Sequence, residues 1–360
     1  MSNSWSRYLL SFIAGSALAV VVMSKAVHDM GSGAALLRVG TTNPLFDRIN
    51  RELGPLPTSI PIGHDGQLYY AIARDPRGSL DTREALAAFD RNGPRYRYRR
   101  ILFPLLAGGF GWFNAHRTLL GMFGVLIVAT GLSAVALADI GMQLKLKPHT
   151  VMVALANPGA LIALWLLAAD PLALALSLVG IALALRRHVA WALVACALSA
   201  LTKEVYLLVP WALAGWHWHE GRRSTALRFA IAPTLPVLVW SLWIAATLPV
   251  GASVANLGMP FGGLAEAFPI WIRHEREPIE IVLATFACVT MCRAVISVVK
   301  GRTSVLRWLT APWIVLGLVA TLEVWGKPNN AARAIAILWP LNLLARGQLE
   351  DSRGIPTRAA

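Results

Sequence analysis

The sequence predicts an all-α fold: a polytopic transmembrane helix bundle of about ten spans with a large first extracytoplasmic loop. Three observations carry that expectation. Of 360 residues, 56% are hydrophobic and 14% are charged, and mean hydropathy is +0.56. Soluble domains carry nearly twice that share of charge. Apolar runs able to cross roughly 30 Å of hydrocarbon recur along nearly the whole chain. Lys and Arg gather at the ends of those runs, as membrane topology requires.

The first apolar run, residues 9–23, follows Arg7 and reads as a transmembrane helix with a cytoplasmic N-terminus. A cleaved leader is the competing reading, because Ser24-Lys25-Ala26 loosely fits the small-x-small rule. In both cases the next segment is exported. Residues 27–100 form that extracytoplasmic loop, rich in Gly, Pro, Asn, Asp and Arg. Residues 101–114 are apolar but short and interrupted by Pro104, Gly108, Gly109 and Gly111, which predicts a re-entrant or interfacial segment.

Further spans are expected at 119–138, 151–168, 172–185, 189–201, 205–218, 229–248, 279–298, 309–322 and 334–344. With that count, Lys145 and Lys147, Arg186 and Arg187, Arg222 and Arg223, Lys300 and Arg302, and Arg346 all share the side of Arg7. That is the positive-inside pattern. Treating 101–114 as a span would put Lys145 and Lys147 outside. Residues 1–346 thus read as one transmembrane domain and 347–360 as a polar cytoplasmic tail. The expected location is the inner (plasma) membrane, multi-pass, with both termini cytoplasmic.

The same topology accounts for many of the cations behind a formal net charge of +14, and no nucleic-acid partner is expected. Cys196, Cys288 and Cys292 lie inside apolar runs, where they pack as small residues, and no metal-ligand spacing is present. There is no Gly-x-Ser-x-Gly and no His-Glu-x-x-His element, which argues against a serine or zinc membrane protease.

The exported loop carries the chemistry. Asp65-Gly66 marks a turn, and residues 67–73 predict a short helix ended by Asp75-Pro76. Asp65 therefore sits at a helix N-terminus, which favours an ionised carboxylate. Arg95, Arg97, Arg99 and Arg100 follow in the same loop, interleaved with Tyr96 and Tyr98. A sugar transfer needs a base for the acceptor hydroxyl and cations for a departing phosphate, and this loop offers both. Arg suits phosphate because its planar fork donates two hydrogen bonds at once. The competing readings are a simple helix cap for Asp65 and a headgroup grip for the Arg run.

The run Asp65-Gly66-Gln67-Leu68-Tyr69-Tyr70-Ala71-Ile72-Ala73-Arg74-Asp75-Pro76, then Tyr96-Arg97-Tyr98-Arg99-Arg100-Ile101-Leu102-Phe103-Pro104-Leu105, resembles bacterial members of the GT-C glycosyltransferase superfamily. It is similar, more loosely, to the Asp-Gly-x-x-Tyr element of GPI-type mannosyltransferases. The resemblance extends to residues 201–210, to Asn157-Pro158-Gly159, to Asp170-Pro171 and to 260–263. It implies a polyprenyl-phosphate-linked sugar donor, with a glycan, lipid or protein acceptor. Asp65 becomes the catalytic base. Gln67, Tyr70, Asp75, Arg97, Arg100, Lys203, Glu204 and Arg333 become the substrate contacts. The pattern departs at Arg99, where many relatives carry Gln. No cofactor motif is present, and a divalent cation is the one candidate cofactor.

Lys203 and Glu204 interrupt an apolar stretch, and ionisable groups at that depth usually mark a site. The competing reading is a mutually neutralising pair. Arg333 opens the last expected span on the outer side, against the charge bias, as a phosphate contact or a leaflet anchor. Asp170 before Pro171 reads as an N-cap. His64 reads as a surface turn residue able to orient Asp65. A transporter or flippase for a lipid-linked or anionic solute is the alternative function, although no inverted repeat is visible. A non-catalytic scaffold explains the spans but leaves the Asp65 element and the Arg run without a purpose.

Overall fold

A computed structural model describes residues 2–56, 61, 63–89, 93–249, 256–273, 277–300 and 304–354. The described residues form helices joined by turns and short connections, with no strand and two isolated bridges, Val39 to Gly63 and Leu257 to Ala320. Four helices are long and apolar enough to cross a membrane: Trp5–Met30, Ala115–Gln143, Arg223–Thr247 and Pro278–Lys300. They match the expected spans at 9–23, 119–138, 229–248 and 279–298 in place. Arg302, Val250 to Ala255 and the last six residues lie outside the described residues.

The other expected spans are helices of 8 to 17 residues. Asp170–Leu185, Val189–Thr202 and Val305–Val319 are continuous and apolar. The segment 151–168 is instead two helices, Pro148–Leu155 and Pro158–Trp165. The break is local chemistry: Pro158 offers no N–H to continue the first helix. Asn157 then caps the second, accepting from the Gly159 and Ala160 amides, and donates to the Ala336 carbonyl at 2.8 Å. The segment 205–218 opens with a short 3₁₀ turn, Glu204–Leu207, because the chain at Lys203 is fully extended. The last helix, Leu338–Gly354, runs on into the segment expected to be a tail.

The large loop is itself helical. It contains Leu45–Leu53, Asp65–Arg74, Leu80–Phe89 and Gly93–Tyr98, with a 3₁₀ turn at Ala34–Leu37. Apolar residues on these pieces (Leu37, Ile49, Tyr69, Leu86) join one core with Phe103, Met122 and Leu167. Residues 101–114 contain the helix Leu102–Phe110, nine residues and thus roughly 13 Å long, too short to cross hydrocarbon. A second core gathers Leu178, Cys196, Tyr206, Trp313, Trp325 and Leu341. Exposed apolar side chains such as Leu10, Val21, Trp191, Leu238, Leu242, Val282 and Val299 line the long and short apolar helices. Extended apolar surface of this kind marks contact with a membrane or a partner.

Ala115–Gln143 is the central post. Against Trp5–Met30 it makes a close approach between Gly15 and Gly131, where a methyl on Gly15 would sit 2.6 Å from the Thr130 carbonyl. At one end of this pair, Tyr8 donates to Asp139 at 2.6 Å, and Arg186 and Gln143 close on the same carboxylate. That polar clamp joins the start of the first helix to the ends of Ala115–Gln143 and Asp170–Leu185. The start of Asp170–Leu185 lies some 24 Å away, at the other end of the bundle.

Candidate active site

The second polar cluster forms at that opposite end, where the two apolar cores meet. Asp65 is the first residue of the helix Asp65–Arg74, and among the described residues its side chain bonds to guanidinium groups and to no helix amide. Arg97 Nη1 donates to Asp65 Oδ1 at 2.8 Å, and Arg333 Nη2 donates to Asp65 Oδ2 at 2.7 Å. The helix-cap reading of Asp65 therefore gives way to a carboxylate paired on both oxygens.

Arg333 also reaches Asp170, at 2.8 Å through Nη2 and 3.2 Å through Nε. Lys203 Nζ donates to the other Asp170 oxygen at 2.6 Å. Asp170 makes no side-chain cap, so its reading as an N-cap is corrected: it is the buried joint between Lys203 and Arg333. Arg100 extends the cluster to Glu204 at 3.2 and 3.3 Å and donates to the Tyr96 hydroxyl at 2.5 Å. Lys203 and Glu204 thus neutralise different partners, not each other. Arg333 is buried between two carboxylates, which rules against the leaflet-anchor reading.

Four cations (Arg97, Arg100, Lys203, Arg333) face three carboxylates (Asp65, Asp170, Glu204). Every one of these charges is held by a partner of opposite sign, as burial in a poorly solvated place requires. Exposure separates the carboxylates: the side chains of Asp65 and Glu204 are 19% and 28% open, while that of Asp170 is 2%. Only the first two are within reach of a ligand from solvent. Burial alone would push the Asp65 carboxyl upward, but the charges of Arg97 and Arg333 outweigh it and hold the group well below the usual carboxylate range.

Backbone contacts position Asp65. The Val39 to Gly63 bridge and the His64 amide, donating to the Arg38 carbonyl at 2.9 Å, strap the turn to the chain before it. Gly66 lies against two backbones: a Cβ there would sit 3.0 Å from the Leu166 carbonyl and 3.1 Å from that of Leu37. On the other side, Tyr98 donates to the Asp75 carbonyl at 2.8 Å, and Trp240 donates to the Tyr98 carbonyl at 2.7 Å. Arg95 donates to the Leu248 and Ala245 carbonyls at the end of Thr234–Thr247, where a helix C-terminus favours a cation. The short Arg-bearing helix Gly93–Tyr98 is thereby fixed beside Asp65.

Of the expected site residues, Asp65, Arg97, Arg100, Lys203, Glu204 and Arg333 converge. Gln67, Tyr70 and Asp75 do not join them. Gln67 is fully buried and accepts from the Gly40 amide and Asn43 at 3.1 and 2.9 Å. Tyr70 donates to Glu52 at 2.7 Å, inside a separate group with Arg48 and Arg74. Asp75 accepts from the Ser79 amide at 2.5 Å. These three hold the loop in shape. Asp170, expected as a helix N-cap and not among the substrate contacts, is the addition to the cluster. Its signal was an acid at the head of an apolar helix, which burial obliges to find cationic partners.

Among the described residues no group of three or more His, Cys, Asp or Glu is arranged to hold a metal ion. Each carboxylate of the cluster is turned to a guanidinium or ammonium group, a donor set that repels a divalent cation. Comparison with known proteins finds no matching family model, no matching curated protein and no matching solved structure.

Proposed function

We propose that the chain is an integral-membrane glycosyltransferase of the GT-C kind. It moves a sugar from a polyprenyl-phosphate donor to a glycan, lipid or protein acceptor at the extracytoplasmic face. The reading extends to about ten crossings, the shorter helices supplying those beyond the four long ones. The observation that carries it is the part-open Asp65 carboxylate embedded in a cation-rich cluster at one end of the bundle. The location supports the side: Asp170 and Arg186 stand at opposite ends of one helix, and Arg186 belongs to the cationic turns expected in the cytoplasm.

In the reaction, the acceptor hydroxyl oxygen attacks the anomeric carbon as the bond from that carbon to the phosphate oxygen breaks. The phosphate leaves with the electron pair, and Asp65 takes the hydroxyl proton. Arg97, Arg100, Lys203 and Arg333 stabilise the charge that grows on the departing phosphate. With both oxygens held by guanidinium groups, Asp65 is a weak base. A donor phosphate that draws Arg97 and Arg333 toward itself returns basicity to the carboxylate as the acceptor arrives. Tyr96, stacked under Arg97 and Arg100 with guanidinium carbons 5.2 and 4.6 Å from its ring centre, keeps both forks oriented.

The test is sugar transfer in membranes carrying Asp65→Asn, an isosteric change that removes the base. We expect a loss of roughly 10²- to 10⁴-fold, the usual contribution of a general base. Transfer at the unaltered rate would remove Asp65 from the chemistry.

A further inference from the structure

Residues 256–273 lie in the chain between two of the long apolar helices, Arg223–Thr247 and Pro278–Lys300, and carry an apolar face that the bundle does not cover. The segment is firmly seated. The Gly258 and Phe261 amides donate to the Val319 and Leu318 carbonyls, both at 2.7 Å, and the Thr321 amide donates to the Asn256 carbonyl at 3.1 Å. Gly263 sits against the same stretch, where a Cβ would lie 2.1 Å from the Ala320 carbonyl. Trp271 donates to the Trp325 carbonyl at 3.0 Å. These contacts all fall on residues 318–325, so the helix Gly262–Arg273 rests on the end of Val305–Val319 and not along its side. That end leads through Leu322–Trp325 to Pro328–Ala334, the helix that carries Arg333.

At about 100° per residue the helix presents three faces. Gly263, Leu264, Ala267 and Trp271 turn to the bundle. Ala265, Phe268 and Ile272, spaced i, i+3 and i+7, form a second stripe that leaves the protein: Phe268 and Ile272 are 62% and 68% exposed. Glu266 is exposed on the third face, about 130° round from that stripe. Leu257, Met259 and Phe261 are exposed on the approach to the helix, and Phe261 is held in a left-handed backbone, φ 63°, which bulky residues rarely adopt. An apolar stripe with an acid turned away from it is the pattern of a helix that lies in a membrane surface. Pro269 sets the level: it has no N–H for the Ala265 carbonyl, a lack that headgroup water makes good and acyl chains cannot. The place in the chain agrees, between the ends of two helices long enough to cross a membrane.

We propose that Gly262–Arg273 is an interfacial helix whose partner is the lipid leaflet at the Asp65 end of the bundle. Phe268 and Ile272 lie among the upper acyl chains, and Glu266 stands in the headgroup water. Through Trp271 and the link Leu322–Trp325, the helix sets the height of Arg333, and with it Asp65, relative to the lipid phosphates. The use of that height for a lipid-borne donor rests on the proposed function; the seat of the helix in the interface does not.

The experiment uses the full chain in phosphatidylcholine nanodiscs, with the exposed Cys288 and Cys292 replaced by Ala and the buried Cys196 left in place. A nitroxide is attached at Phe268→Cys, Ile272→Cys or Glu266→Cys, one at a time. All three positions are exposed, so no packed side chain is lost, and two of them report on the stripe independently. Power-saturation EPR compares collisions with oxygen, which concentrates in hydrocarbon, and with a water-soluble nickel chelate. Labels at 268 and 272 should lie roughly 5–10 Å below the headgroup phosphates, and the label at 266 at or above them. Labels at 268 and 272 that meet the chelate as freely as the one at 266 put the stripe in water and overturn the proposal. Shielding from both reagents puts a protein surface there, a second copy or another chain, and overturns it equally. Should Asp65→Asn keep full transfer while the labels lie at the expected depth, the enzymatic reading falls and the interfacial helix stands.

Discussion

Asp170 sits 2% exposed and yet carries a charge, which is tolerable only because Lys203 and Arg333 both reach it. Its role is indirect: it sets the place of Arg333, which then meets Asp65 from the side opposite Arg97. Asp170→Asn keeps the shape and removes the charge, leaving two buried cations short of a partner. Breaking such a buried pair costs roughly 3–5 kcal/mol. On the proposed function, the donor KM should rise more than kcat falls, because Lys203 and Arg333 lose their fixed positions. Asp170→Glu should recover part of the donor affinity. Initial-rate measurements at varied donor concentration check both, and an unchanged KM would make Asp170 a purely structural residue. Asp65, Arg97 and Arg100 were legible in the sequence because they share one polar loop. Asp170 was read as a cap, and its pairing was not legible, because its partners stand 33 and 163 positions along the chain.

Gly66 shows the same logic at the level of an element. The helix Asp65–Arg74 is amphipathic in sequence, but its docking depth is set by the absence of a side chain at its second position. Gly66→Ala forces the helix away from the Leu37 and Leu166 carbonyls, and overpacking of this kind costs about 1–3 kcal/mol. We expect a lower melting temperature in detergent and a transfer rate that falls with it. Gly109→Ala, where an added methyl meets nothing within 4 Å, should leave both unchanged. Equal melting of the two variants would contradict the docking account. Helix boundaries were read from hydropathy well where apolar runs were long, as at Ala115–Gln143. They were read less well at 151–168, where Asn157-Pro158 ends one helix and caps the next inside a single apolar run. Hydropathy does not see that break, because neither helix changes its composition there.

At the scale of the molecule, two polar clusters stand at opposite ends of one bundle: Asp139 with Tyr8 and Arg186, and Asp65 with Arg97, Arg333 and Asp170. If the second faces outward, Arg77→Cys in a cysteine-free chain should react with an impermeant maleimide in intact cells. Arg187→Cys should react only after permeabilisation. Both positions are exposed, so the reverse labelling would invert the topology and take the donor to the cytoplasmic leaflet. The sequence by itself determined that the chain is helical and rich in membrane-length apolar segments. It also singled out Asp65 and the Arg run, because composition and spacing are local properties. The tertiary structure alone decided which charges meet. Pairing across 268 residues, as between Asp65 and Arg333, depends on how helices pack, and packing is a property of the whole buried surface that no local window contains.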